Sequence, residues 1–186
     1  MAVPIFKIKD FFIISDRDKK ILIEDIFYSK DVKDSRPNSP GITENFPVIR
    51  DRKRILKRIY NKILKKNREI FGRVDLDPRN TDQVHGLCTN KDCWESVPHH
   101  HIKTSTINAV YYLQVPQISN QFVGKVKFLV NEVWYDYQPE PNELIIFPNH
   151  LVHDTEYHST DEWRISLNFE YICKNDIDWL AKSLRE

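Results

Sequence analysis

The stretch HHHIKTSTINAVYYLQVP, residues 99–116, decides how this chain is read. It joins three consecutive histidines to a run, Thr106 to Val115, rich in β-branched and aromatic side chains. Such a run favours a strand, because those side chains suit a pleated surface and lose χ1 freedom in a helix. Residues two apart in an extended chain face the same way, so His99 and His101 present both imidazoles to one side. Toward the C-terminus, Lys125 to Val130, Glu132 to Tyr137, Glu143 to Phe147 and Trp163 to Ile172 read as further strands. Their connections hold turn formers, among them Pro116, Gly124, Pro139, Asn142 and Asn149. Short strands at near-regular spacing predict a β sandwich or barrel over 102–173.

Toward the N-terminus the pattern changes. Residues 73–98 mix Asp, Asn, Pro and Cys without a period and read as irregular. Over 49–71, Ile55, Leu56, Ile59, Ile63, Leu64, Ile70 and Phe71 recur at helical spacing before Gly72, which predicts a helix. Between Arg50 and Arg68 that segment carries ten Lys or Arg against one acid, Asp51. Its +9 leaves −8 for the rest of a chain whose formal net charge is +1. A contact with nucleic acid or an acidic partner would use such a face. A solvated face on a helix that backs a sheet shows the same pattern, and Tyr60 is its one aromatic for base stacking. Residues 31–47 read as a loop, and 1–30 as two strands, Ile5 to Ile14 and Ile21 to Phe27, around a turn at Asp16–Lys20. A last helix is expected from Asp176 to Arg185, capped by Asn175.

At 186 residues and 22.2 kDa the chain is one domain's worth, large enough to bury a core without staples. Aromatics at 12% argue against disorder. No apolar run approaches the roughly 18 residues that a membrane span needs. Met1–Asp10 lacks an apolar signal region, so a cytoplasmic location is expected. Cys88, Cys93 and Cys173 are odd in number and too few for an all-Cys zinc site, which fits a reducing compartment. The expected organisation is a single mainly-β domain with flanking helices. Residues 1–98 supply supporting strands, loop and basic helix, 99–173 the catalytic core, and 175–186 the C-terminal helix.

Six of the seven histidines fall between 99 and 158. His153 lies fifty-two residues beyond His101, and Arg164, eleven further on, opens Arg164-Ile165-Ser166. Three imidazoles on one side of a metal leave other positions open. An Arg one strand away can clamp a carboxylate through a two-point fork. Together they would bind a dicarboxylate with one end on the metal. A one-residue slip would put His100 in place of His101, and His150 or His158 could take the part of His153. The spacing to Arg164 favours His153. His85 reads as a bystander, and Glu95 and Asp154 as candidates to orient the imidazoles.

HHHIKTSTINAVYYLQVP (99–116), PNELIIFPNHLVHDTEYHS (141–159) and WRISLNFEY (163–171) together resemble the iron(II)- and 2-oxoglutarate-dependent oxygenase superfamily. The likeness is greatest to its prolyl-hydroxylase-like branch, in a subgroup frequent in bacteria and phages. The resemblance implies a double-stranded β-helix, a cupin-like jelly roll. It implies iron(II), 2-oxoglutarate and O2 as cofactor and co-substrates, with hydroxylation of an unactivated C–H of a small-molecule or peptide substrate. By position, His99 and His153 match iron ligands, and His101 stands where most of the superfamily has Asp or Glu. Arg164 matches the partner of the distal carboxylate of 2-oxoglutarate. Ser166 and Tyr112 would touch the same group, and Asn108 and Val110 would line the pocket beside it. Two other readings are a three-His dioxygenase that does not use 2-oxoglutarate, and a non-catalytic metal-binding module.

Overall fold

Ile107–Gln114 and Arg164–Tyr171 pair antiparallel at the centre of a six-stranded sheet. The computed structural model describes residues 5–29, 41–42, 54–78, 83–92, 97–103 and 105–179. In chain order its elements are β1 (Phe6–Ile8), α1 (Asp16–Ser29), β2 (Gly41–Ile42), α2 (Arg54–Phe71) and β3 (Gln83–Thr89). There follow β4 (Ile107–Gln114), β5 (Gln117–Ile118), β6 (Gln121–Phe122), β7 (Val126–Val130) and β8 (Val133–Tyr137), then β9 (Leu144–Pro148), β10 (His153–Thr155) and β11 (Arg164–Tyr171). The main sheet runs β1-β9-β4-β11-β3-β2, a second runs β10-β7-β8, and β5 and β6 form a small hairpin. All of these pairings are antiparallel. The result is the expected jelly roll. Two tight turns help set it. Ser119-Asn120 and Asn131-Glu132 all have positive φ, which gives the primed turn whose twist matches paired strands.

The period of two along β11 splits the main sheet into two faces. Ile165, Leu167, Phe169 and Tyr171 join Ile107, Ala109, Tyr111 and Leu113 of β4 in the core, each 1% exposed or less. Against this face pack Leu22 and Ile26 of α1 and Leu56, Ile59, Tyr60 and Ile63 of α2. Tyr60 and Tyr171 stack with ring centroids 5.2 Å apart. Each aliphatic side chain so buried contributes roughly 1.5–3 kcal/mol. The basic helix therefore backs the sheet, while Arg54, Lys57, Lys65 and Arg68 stay exposed. No helix among the described residues is long and apolar enough to cross a membrane.

Three expectations are corrected. Residues 16–29 are a helix, where a turn and a second strand were expected. Ser15 caps it, its Oγ accepting from Asp18 N at 3.1 Å, so the polar run starts a helix. Leu22 and Ile26, four apart, then share its buried face. Residues 83–89 are strand β3, where irregular chain was expected. Val84 and Cys88 face the core while His85 and Leu87 face the other way, and the interspersed polar residues hid this alternation. Residues 176–179 are not helical. Asn175 instead ties down residues 73–75, its Oδ1 accepting from Asp75 N (2.9 Å) and its Nδ2 donating to Arg73 O (3.1 Å). The rest of that expected helix, 180–186, lies outside the described residues.

Candidate active site

The other face of β11 carries Arg164, Ser166, Asn168 and Glu170. Opposite them in register, β4 sets Tyr112 beside Ser166, Val110 beside Asn168 and Asn108 beside Glu170. On the other flank β3 sets His85 beside Asn168 and Leu87 beside Ser166. These side chains, with Phe147 of β9 beside Asn108, floor a cavity roofed in part by Val126 and Thr155 of the second sheet.

His99, His101 and His153 meet at one end of this cavity, with ligand nitrogens all within 4.8 Å of one another. A backbone bridge joins the first and last: His99 N donates to His153 O (3.1 Å), and His153 N to His99 O (3.0 Å). Each ring is held at Nδ1. His99 Nδ1 is 2.9 Å from Val97 O, His153 Nδ1 is 3.0 Å from Leu151 O, and His101 Nδ1 is 3.1 Å from Glu170 Oε1. A carbonyl or carboxylate oxygen only accepts, so Nδ1 carries the hydrogen and Nε2 keeps its lone pair. Three imidazoles with Nε2 available fit a divalent transition metal. Burial holds the His153 ring well below the ordinary imidazole range, at about 3, so it stays neutral and ligand-competent.

At the other end sits Arg164, 2% exposed. Its Nη2 donates to Tyr112 OH at 3.3 Å, and its guanidinium carbon lies 5.0 Å from the Tyr112 ring centroid. Its Nε and Nη1 are buried with no hydrogen-bond partner, and so is Asn108 Nδ2. A buried cation left unpaired costs several kcal/mol, so an anion is the expected occupant. Gly124 explains how the side chain is seated. Its φ is +78°, and a Cβ there would lie 3.0 Å from Arg164 Cδ and 3.1 Å from His158 Cδ2. The donor set thus fits both a metal at one end and a carboxylate at the other.

His99, His101, His153, Arg164, Ser166, Tyr112 and Asn108 all line this one cavity. His100 and His150 are exposed, and His158 packs beside Arg164, its Nε2 3.3 Å from Thr89 O. Asp154 Oδ1 accepts from Thr155 N at 2.7 Å, and Glu95 lies outside the described residues. Two residues were missed. His85 lines the cavity, its Nε2 accepting from Asn168 Nδ2 at 3.1 Å. Glu170 meets an imidazole of the cluster, that of His101. Counting by twos from Arg164 along β11 would have found Glu170.

Residues 90–170 match the family model described as "Putative 2OG-Fe(II) oxygenase". No curated relative matches by sequence. Among solved structures, a Pseudomonas putida prolyl-4-hydroxylase is 14% identical with a TM-score of 0.64, over 94% of this chain and 95% of that one. HygX from Streptomyces hygroscopicus, with nickel, 2-oxoglutarate and hygromycin B bound, is 11% identical with a TM-score of 0.65, over 92% and 84%. A Trichoplax adhaerens prolyl hydroxylase, in complex with a hypoxia-inducible-factor peptide fragment, is 12% identical with a TM-score of 0.63, over 100% and 88%. The fold is common to all three. Over residues 90–170, somewhat under half of the chain, the sequence is thus similar to the 2-oxoglutarate–iron(II) oxygenases, and the fold agrees with that likeness.

Proposed function

We propose that the chain is an iron(II)- and 2-oxoglutarate-dependent dioxygenase that hydroxylates an unactivated C–H bond and releases succinate and CO2. The observation that carries this reading is the buried guanidinium of Arg164, with Nε and Nη1 unpaired, on the same cavity as three histidines that leave Nε2 available. His99, His101 and His153 would hold the iron. Arg164 would take the far carboxylate of 2-oxoglutarate, with Tyr112 OH and Ser166 beside it in register. Asn108, whose Nδ2 is buried without a partner, would donate to the bound acid. Iron supplies the activation of O2 that no side chain can provide.

The chain's own part is position and exclusion of water. β4 and β11 hold the carboxylate end rigid, and Phe147 and Val126 wall the cavity with apolar surface. The substrate class is a peptide or a small molecule. Relatives of this fold are known with a peptide fragment and with hygromycin B.

Anaerobic addition of iron(II) and 2-oxoglutarate should give a visible charge-transfer band, and admission of O2 should then give succinate. A band without succinate, or metal binding without either, would overturn the reading. The second of these would favour a three-His site that does not use 2-oxoglutarate.

A further inference from the structure

We propose that Glu170 is a positioning residue for the metal site: its carboxylate holds His101 through Nδ1 and supplies the negative charge that three neutral imidazoles lack. The inference rests on the reading of His99, His101 and His153 as the metal ligands.

The three rings are not held alike. His99 and His153 are each fixed by a carbonyl two residues earlier, Val97 and Leu151, so the local chain orients them. His101 is fixed by a side chain of β11, sixty-nine residues later. Its orientation therefore depends on the central strand of the main sheet, the same strand that carries Arg164. One rigid strand would set both ends of the cavity.

The contact is also different in kind. A carbonyl is a neutral acceptor, whereas a carboxylate facing Nδ1–H makes the imidazole a stronger donor to a metal. Among the described cavity-lining residues Glu170 is the single carboxylate and Arg164 the single permanently charged cation. The side chain of Glu170 is 9% exposed, and a buried carboxylate is retained where an opposite charge or strong donors meet it. With a divalent metal and a dicarboxylate in place, charges balance. The two positive charges of the metal and one of Arg164 meet two of the acid and one of Glu170. Without Glu170 the enclosed site carries a net positive charge. The carboxylate that the ligand set lacks stands one bond network away.

The test uses cobalt(II) titration followed by its visible absorption, with melting temperature of the metal-free protein as the fold control. Glu170→Gln keeps size and hydrogen-bonding capacity and removes the charge. It should weaken cobalt(II) binding by about 10–100-fold, the range found when such a partner of a ligating histidine is removed. It should also move the anaerobic iron(II)–2-oxoglutarate band to shorter wavelength, because the metal becomes less electron-rich. In a His101→Asp background, where the ligand brings its own charge and would face Glu170 as a like charge, Glu170→Gln should leave cobalt(II) affinity unchanged or improved. A purely structural role would lower affinity equally in both backgrounds and would overturn the inference. So would an affinity within about threefold of the parent for Glu170→Gln. Failure of the parent protein to bind cobalt(II) would instead overturn the assignment of the three histidines, and this inference with it.

Discussion

The two faces of β11 are built by opposite rules. On one, Ile165, Leu167, Phe169 and Tyr171 are shut against two helices, and the apolar packing leaves nothing unspent. On the other, Arg164, Ser166, Asn168 and Glu170 are almost as deeply placed, yet Arg164 keeps two donors with no partner. Residues one apart in sequence thus divide between stability and chemistry. A face that folding alone had shaped would not retain an unpaired guanidinium, since replacing it with a packed apolar group is often neutral or stabilising. The difference marks out the candidate site without reference to any relative.

Substitutions can break that division, and the largest effect should come from Arg164→Ala. It should weaken 2-oxoglutarate binding by two orders of magnitude or more while cobalt(II) affinity stays within a few-fold and the melting temperature does not fall. Equilibrium dialysis with labelled 2-oxoglutarate measures the first and absorption titration the second. Loss of metal binding as well would mean that the two ends of the cavity are not separate.

Leu167→Ala, one face over, should do the reverse. It should cost about 2–5 kcal/mol of stability by urea unfolding, as buried truncations of this size do. Affinity for 2-oxoglutarate should hold wherever the variant is folded. A large affinity change with little destabilisation would erase the contrast between the faces.

Gly124→Ala sharpens the comparison, because the added methyl meets Arg164 Cδ at 3.0 Å in a backbone of φ +78°. About tenfold weaker 2-oxoglutarate binding is expected, along with about 1 kcal/mol of backbone strain. Unchanged affinity would show that the guanidinium does not need that seat.

Acidity gives the smallest effect near neutrality. His153, His85 and His158 are all held below the ordinary imidazole range by burial. A group so depressed binds its proton more readily in the unfolded chain, so its contribution is complete above pH about 6.5 and is lost as pH falls. For His153, whose folded value is about 3, the loss should approach about 1 kcal/mol per pH unit below 6. Thermal melts of metal-free protein from pH 7.5 to 5 should show it. A flat profile would mean that these rings are not buried neutral in solution.

Most of the candidate site was legible because it follows the chain. His99 and His101 are two apart, Arg164 and Ser166 are two apart, and alternation along one strand places each pair on one side. Tyr112 and Asn108 follow from the same count along β4. What stayed hidden depends on neighbours across strands. His85 meets Asn168 only through the β3–β11 register, and no local pattern announces a register. Glu170 was within reach of the count but falls after the conspicuous Arg164-Ile165-Ser166. The helix at 16–29 was lost for another reason. Ile21-Leu22-Ile23 offers apolar residues at both periods, and only the burial of Leu22 and Ile26 selects the helical one.

The bridge between His99 and His153 has a thermodynamic consequence. These residues are fifty-four positions apart, and bringing such a loop's ends together costs on the order of 3–4 kcal/mol of chain entropy. The packed jelly roll already meets that cost, and the two backbone hydrogen bonds of the bridge fix the ends in place. An arriving ion therefore finds its cradle closed, so its binding energy is not consumed in folding the chain. Metals should exchange in and out of a standing structure, with chelators stripping the site and leaving the jelly roll intact.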